Sequence, residues 1–163
     1  MPYIKWLNFL GNNAMSDLRE LYQEVIIDHG RHPRNFSALP FFNHTKEGYN
    51  PLCGDRLTIY LVEENNVIKN ISFQGSGCAI SMASASLMTE SVKGKTIEEM
   101  KILFDDFHSL VKGEHREWRD QKISKLAVLS GVSEFPMRVK CATLCWHTLI
   151  AAIKNSEAPV TTE

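Results

Sequence analysis

The chain has 163 residues, the size of one ordinary domain, and 44% of them are hydrophobic, which is enough for a packed core. Eighteen Lys and Arg against nineteen Asp and Glu leave a formal net charge of −1, which argues against nucleic acid as a partner. No apolar run approaches the roughly 20 residues that a membrane-spanning helix needs. Four cysteines are too few for a disulfide scaffold. In a cytoplasmic protein, which we expect here, such thiols are reactive, metal-bound or buried.

The amino-terminal segment is expected to be an extension. Its short apolar patch is broken by Asn8, whereas a secretory signal peptide needs an unbroken apolar run of about 7–15 residues. Met15 is a second plausible start, and Ser16 after it is a good helix N-cap. The expected organisation has three parts: an N-terminal extension over 1–15, a single domain over 16–155 and a disordered polar tail over 156–163.

Within the domain, the apolar pattern predicts helices around one hairpin. A first helix begins at Ser16, and a short strand is expected near 42–45. Strand-forming residues over 57–62 and 67–73 then flank a polar turn. The fold class is therefore α+β, with a small antiparallel sheet of about three strands and helices packed on one face. The later helices are predicted over 79–92, 97–111, 123–129 and 139–153.

Three of the four cysteines lie at predicted boundaries between elements. Cys53 lies in a Pro-Leu-Cys-Gly-Asp turn before the hairpin, Cys78 follows Gly-Ser-Gly at a predicted helix start, and Cys141 lies near the start of the last helix. A helix N-terminus stabilises a thiolate, which is the species that binds metal and acts as a nucleophile. In an extended segment residues i and i+2 point to the same side, so Asp55 could join Cys53 at one metal. Three thiolates and one carboxylate make four ligands, the number that tetrahedral zinc takes.

The residues alone leave other interpretations open. Free cysteines are often buried only for packing, and the long spacings between these three match no compact zinc motif. Cys145, four residues after Cys141, lies in an apolar stretch and is expected to be a core residue. If Asp55 is not the fourth ligand, the remaining candidates are Lys140, His147 or a water. The other histidines are expected to be solvated, namely His29, His32, His44, His108 and His115.

Four ordered motifs carry a resemblance to a known family. They are Leu-Tyr-Gln-Glu-Val-Ile-Ile-Asp-His over 21–29 with Pro-Arg-Asn-Phe over 33–36, Pro-Leu-Cys-Gly-Asp over 51–55, Phe-Gln-Gly-Ser-Gly-Cys-Ala-Ile-Ser over 73–81, and Arg-Val-Lys-Cys over 138–141. The match runs over nearly the whole chain. The sequence is similar to the NifU/IscU-like iron–sulfur cluster assembly proteins, and within them to the SufU type.

Two departures from the IscU pattern favour the SufU type. IscU-type proteins have a histidine just before the third cysteine, where this chain has Lys140. They also carry a Leu-Pro-Pro-Val-Lys chaperone-recognition motif, where this chain has Glu-Phe-Pro-Met-Arg over 134–138. The SufU type resembles this chain at both places, and it has an insertion between the second and third cysteines that residues from about 112 to 133 supply.

The resemblance implies a SufE/NifU-like (IscU-like) fold and a role in the SUF pathway. Proteins of this type bind zinc through three cysteines and an aspartate, and they accept sulfur from the persulfide of a pyridoxal-phosphate cysteine desulfurase. The implied partners are a SufS-like desulfurase and other SUF scaffold components. By the same resemblance Cys53 would be the sulfur acceptor and Arg138 would rearrange the site on docking. The implied metal ligands are Cys53, Asp55, Cys78 and Cys141.

Three functions remain open on the sequence. The first is a zinc-dependent, sulfurtransferase-like sulfur carrier that stimulates a cysteine desulfurase. The second is a scaffold on which a transient iron–sulfur cluster is assembled and transferred. Three thiolates and one oxygen would hold such a cluster weakly, because hard oxygen suits iron–sulfur chemistry poorly, and weak binding suits a donor. The third is a structural zinc domain without transfer activity.

Overall fold

A computed structural model of the chain describes residues 2–114 and 116–161, with side chains from residue 17 onward. A 3-10 helix over Ala127–Glu134 joins the last two α-helices. The α-helices are α1 (Pro2–Arg31), α2 (Ala79–Val92), α3 (Ile97–Val111), α4 (Ile123–Leu126) and α5 (Pro136–Ile153). The strands are β1 (His44–Asn50), β2 (Asp55–Glu64), β3 (Val67–Ser76) and β4 (Val160–Thr161). Among the described residues no helix is both long enough and apolar enough to cross a bilayer.

The sheet is mixed and has the strand order β3-β2-β1-β4. The pairs β1–β2 and β2–β3 are antiparallel, whereas β4 runs parallel to β1 with Val160 opposite Gly48. The predicted α+β class is confirmed, but the sheet has a fourth strand. That strand lies in the tail that was expected to be disordered. It forms because the outer edge of β1 offers unpaired backbone groups and Val160 packs against the core. Residues 162–163 lie outside the described part.

Several boundaries differ from the sequence predictions, including that of the helix predicted over 123–129, which ends at Leu126 and continues as the 3-10 helix. The first helix begins at Pro2 rather than at Ser16, because residues 3–15 contain no proline and the first turn tolerates one. The expected extension over 1–15 is therefore continuous with α1, apart from residue 1, which is not described. The strand expected near 42–45 is β1, which begins and ends later. The last helix begins early, at Pro136, for the same reason as α1.

The inner face of the sheet is apolar because β2 alternates strictly. Leu57, Ile59 and Leu61 are fully buried, and the residues between them lie on the opposite face. In β3 the alternation breaks, since Ile68 and Ile71 are both buried although they are three residues apart. The pairing with β2 shifts register between Ile68 and Asn70. The extra residue of this bulge lets Ile68 and Ile71 both face the core.

Helix α5 is the central helix of the apolar layer. It contacts β1, β2 and α2, and nine of its residues are buried, including Cys141 and Cys145. Trp146 is fully buried and stacks on Phe104 and Phe107 of α3, with ring centroids 5.5 and 5.2 Å apart. Stacked aromatic pairs of this kind add to the burial energy and join α3 firmly to α5.

Buried histidine and serine side chains join α1 to α2. The Ser86 hydroxyl accepts from the Arg34 backbone N–H at 2.8 Å and forms a hydrogen bond with His29 Nδ1 at 2.7 Å. His29 was expected to be solvated, but it is 8% exposed, because it faces the polar side chains of α2. His44, also expected to be solvated, is partly buried and contacts the Ala152 carbonyl at 3.0 Å. His115 lies outside the described residues.

One buried carboxylate holds the charged segment that follows α3. Asp106 has no exposed surface, and its oxygens accept from the backbone N–H groups of Arg119 and Asp120 at 2.8 and 3.2 Å. They also accept from the Arg116 guanidinium at 2.7 Å and from the Arg119 Nε at 3.3 Å. The segment between α3 and α4 has no regular secondary structure over 116–120, and hydrogen bonds to this carboxylate hold it in place.

Replacing Asp106 by Ala should destabilise the fold by about 1–3 kcal/mol, because two backbone N–H groups lose their acceptor and two guanidinium groups lose one of two carboxylate partners. Asp105→Ala is the matched control, since Asp105 pairs with the same two arginines but its side chain is 59% exposed. Urea unfolding of both variants measures the difference. A loss from Asp105→Ala as large as that from Asp106→Ala would contradict this account.

Three histidines should make the fold sensitive to mild acid. Burial is the main cause that lowers the pKa of His29, His108 and His147, and the neighbouring Arg34, Lys112 and His108 respectively lower each further. The unfolded chain then takes up these protons first, so stability is fully present above about pH 6.5 and is lost as pH falls below that value.

Thermal melting of metal-free protein, with a chelator present throughout, tests this. We expect a constant melting temperature between about pH 7 and 8 and a falling one below about pH 6.5. A melting temperature that stays level down to about pH 5 would show that these histidines do not set acid stability.

Candidate metal centre

Two thiols and one carboxylate from separate parts of the chain meet at one point. Donor atoms of Cys53, Asp55 and Cys141 all lie within 4.8 Å of one another, and the Cys53 and Cys141 Sγ atoms are 3.1 Å apart. Cys53 lies in the turn between β1 and β2, Asp55 is the first residue of β2, and Cys141 lies in α5. The contact of α5 with β1 and β2 therefore brings together residues that are far apart in sequence.

The fourth expected ligand, Cys78, adjoins this group through Asp55. The Cys78 backbone N–H donates to Asp55 Oδ1 at 2.8 Å, and its Sγ lies 4.0 Å from Asp55 Oδ2. Cys78 is the N-cap of α2, and its sulfur accepts from the Ser81 N–H at 3.4 Å. The predicted helix-start position of Cys78 is thus observed.

Glycines give the two cysteine turns their shape. Gly54, directly after Cys53, has φ +72°, a conformation that side chains rarely adopt. Gly77, directly before Cys78, packs on the carboxylate, since a Cβ there would lie 2.5 Å from Asp55 Oδ1. The absence of a side chain at Gly77 is therefore what lets α2 approach Asp55 closely.

Asn50 is a site residue that the sequence analysis missed. It is the last residue of β1, it is fully buried, and its side-chain amide lies 3.5 Å from Asp55 Oδ2 and 3.6 Å from Cys141 Sγ. The available signal was an Asn-Pro pair directly before the Cys53 turn, which marks turn initiation but carries no indication of metal binding.

The site is half open. Cys53 is exposed, whereas Asp55 and Cys141 are buried. Burial and the adjoining Cys53 and Asp55 side chains raise the pKa of the Cys141 thiol well above its usual range. Cys141 lies near the start of α5, as expected, but in its second turn, five residues after Pro136, where the charge effect of the helix N-terminus has fallen off.

The donor set fits zinc. Thiolate and carboxylate are both zinc ligands, and four such groups complete a tetrahedral site. A cation would also offset the cost of placing Asp55 and Cys141 side by side in a buried position, since it favours the charged form of each. Of the four expected ligands, the structure brings Cys53, Asp55 and Cys141 together, and Cys78 lies beside this group, in contact with Asp55.

The competing ligand candidates lie elsewhere. Lys140 and His147 line a separate surface cavity with His108, beneath the chain that leads into β4. Cys145 is confirmed as a core residue, since it has no exposed surface and burial raises the pKa of its thiol to about 12. Arg138 is exposed and lines a groove between α1 and the start of α5, so in this structure it contacts none of the thiols.

The sequence matches one family model. The NifU-like N terminal domain matches residues 21–142. The zinc-dependent sulfurtransferase SufU of Bacillus subtilis (strain 168) is 38% identical over 87% of this chain and 95% of its own. The iron–sulfur cluster assembly scaffold protein IscU of Streptococcus pyogenes serotype M1 is also 38% identical, over 88% of this chain and 89% of its own.

A solved structure agrees with this assignment. It is a candidate iron–sulfur cluster assembly scaffold protein for the SUF system from Fervidobacterium islandicum AW-1. It superposes with a TM-score of 0.74 at 32% identity, over 80% of this chain and 94% of its own. The chain belongs to the NifU-like N-terminal domain family, the IscU/SufU family of iron–sulfur cluster assembly proteins.

A pair of variants on one helix tests the ligand assignment. Cys141→Ala should lose tight zinc binding, because it removes one of few thiolate ligands. Cys145→Ala should keep the metal and lose at most a few kcal/mol of stability, as for truncation of a small buried side chain. Competition with a chelating dye measures zinc affinity. Release of zinc by Cys145→Ala and retention by Cys141→Ala would reverse the assignment.

Proposed function

We propose that this protein is a zinc-dependent acceptor of persulfide sulfur from a cysteine desulfurase in the SUF pathway. The observation that carries the proposal is one exposed thiol, Cys53, within 3.1 Å of a buried thiol, Cys141, beside the Asp55 carboxylate. Such a group combines an accessible nucleophile with anchored ligands. A reducing compartment such as the cytoplasm suits it, since its thiols must stay unpaired.

Zinc supplies a cation that keeps thiolates deprotonated without redox chemistry of its own. The Cys53 thiolate attacks the terminal sulfur of the desulfurase persulfide. A bond forms between Cys53 Sγ and that sulfur while the S–S bond of the desulfurase breaks, and the desulfurase cysteine leaves as a thiolate. Cys53 then carries the persulfide. The exchange conserves electrons, so it needs no added oxidant or reductant.

Exposed apolar side chains near the site suit a protein partner. Leu52, directly before Cys53, is 53% exposed, and Phe135 and Met137 at the start of α5 are 57% and 53% exposed. Large apolar side chains are enriched where partners dock. Arg138 follows Met137 in the chain, so a desulfurase that docks here would touch the residue that the family resemblance assigns to rearrangement of the site.

The scaffold function is the second candidate. The same thiols could hold an iron–sulfur cluster as cargo, and the Streptococcus pyogenes relative, whose name is that of a scaffold, is as similar to this chain as the sulfurtransferase. We favour sulfur acceptance because Lys140 stands where scaffolds of the IscU type carry a histidine, and Lys140 lines a different cavity. A buried carboxylate ligand is also better suited to zinc than to a cluster.

A desulfurase assay separates these functions. Zinc-loaded protein should increase sulfide production from cysteine by a purified SufS-type desulfurase, and mass spectrometry should find one extra sulfur atom on Cys53. Cys53→Ser should abolish both results, and Cys145→Ala, its matched control, should not. No stimulation, together with a cluster that forms under anaerobic reconstitution and transfers to an apo-ferredoxin, would support the scaffold instead.

Asp55→Ala should separate zinc binding from sulfur transfer. A hard oxygen is the most readily exchanged of the four proposed ligands, so its loss should weaken zinc binding less than any single change of Cys53, Cys78 or Cys141. Stimulation of the desulfurase should nevertheless fall strongly, because the carboxylate also holds the Cys78 N–H in place. Unchanged zinc affinity with unchanged stimulation would remove Asp55 from the site.

A further inference from the structure

Asn50 makes three side-chain contacts, and each goes to a different part of the metal centre. Its Oδ1 accepts from the Leu52 N–H at 3.2 Å, inside the turn that carries Cys53. Its Nδ2 donates to Asp55 Oδ2 at 3.5 Å and to Cys141 Sγ at 3.6 Å. One fully buried side chain therefore touches the turn, the start of β2 and helix α5.

The orientation of the Asn50 amide follows from these contacts. The Leu52 N–H is a donor only, so it requires the Asn50 oxygen on its side. The amide NH₂ group must then point toward the carboxylate and the sulfur, which are acceptors when deprotonated. The amide oxygen of Asn50 therefore bonds the turn, and its NH₂ group bonds Asp55 and Cys141.

We propose that Asn50 is a positioning residue of the metal centre, whose amide NH₂ group orients Asp55 and Cys141 toward a shared divalent cation. This inference rests on the proposed zinc site. The two ligands arrive on separate elements, and Asn50 is the described side chain that bonds both. Groups that hold metal ligands in this way commonly change metal affinity 10–100-fold when removed.

Substitutions at position 50 can separate the role of the amide oxygen from the role of the amide NH₂ group. In Asn50→Ser the hydroxyl still accepts from the N–H two residues on, as in the turns that Ser commonly forms, but it is too short to reach Asp55 and Cys141. Asn50→Ala loses both the hydrogen-bond acceptor and the hydrogen-bond donor. Asn50→Thr offers the same hydroxyl as Ser and is used if Asn50→Ser does not fold. The matched control is Asn43→Ser, since Asn43 also bonds backbone groups through both ends of its amide, away from the site.

Zinc affinity and the absorption of the Co²⁺-substituted protein provide the readouts. We expect zinc binding by Asn50→Ser to weaken by roughly tenfold or more, with a metal-free melting temperature close to that of wild type. We also expect its sulfur-to-cobalt charge-transfer band to move, because the Cys141 sulfur loses an N–H donor. Asn43→Ser should match wild type in both measurements.

The outcomes distinguish this inference from the proposed function. Wild-type zinc affinity and an unchanged cobalt spectrum in Asn50→Ser, with weakened binding only in Asn50→Ala, would show that Asn50 acts through the turn, and would overturn the inference alone. Failure of the wild-type protein to bind zinc tightly would overturn the proposed function first, and the inference with it.

Discussion

The hydrogen bond from the Cys78 N–H to the Asp55 carboxylate is the constraint on which the site depends. It joins the first residue of β2 to the N-cap of α2 at 2.8 Å, in a position that Gly77 keeps free of side-chain atoms. Because Asp55 is buried, its carboxylate needs compensation there; the Cys78 N–H and the Asn50 amide supply part of it, and the proposed cation would supply the rest. The remaining ligands then have to come from elements that pack around this point.

The residues of the site differ in burial, and this difference suits them to different roles. Cys141 and Asp55 lie in the interior, where α5 packs on the sheet, whereas Cys53 lies on an exposed turn next to a glycine with positive φ. In the proposed function, the two buried side chains would anchor the ion, and the exposed thiol would stay available to an approaching persulfide. A structural zinc site would have no need of an accessible ligand, since such sites are closed. The same division also explains why Cys145, one turn beyond Cys141, is inert: it faces the core.

Local patterns in the sequence predicted much of this arrangement. The hairpin was predicted from its strand formers, and the predicted bounds of α2 and α3 agree with the structure. The turn positions of Cys53 and Cys78 follow from their glycine neighbours. The apolar stretch around Cys145 was enough to place it in the core, because an amphipathic period identifies buried positions without any tertiary knowledge.

What the sequence could not predict depends on contacts between distant segments. Asn50 looks like an ordinary turn residue until α5 brings Cys141 beside it. The strand β4 exists only because β1 presents a free edge. His29 is buried by a serine 57 positions away, so no local pattern identifies it as buried. The ligand set itself came from family resemblance, since its long spacings match no compact motif.

X-ray absorption at the zinc K-edge, on wild-type protein loaded with one equivalent of zinc, tests the central claim most directly. Three thiolates and one carboxylate predict three sulfur neighbours at about 2.3 Å and one oxygen or nitrogen neighbour at about 2.0–2.2 Å. A shell of four sulfur atoms, or one with two or fewer, would contradict the account, because Cys53, Cys78 and Cys141 could not then be the thiolate ligands.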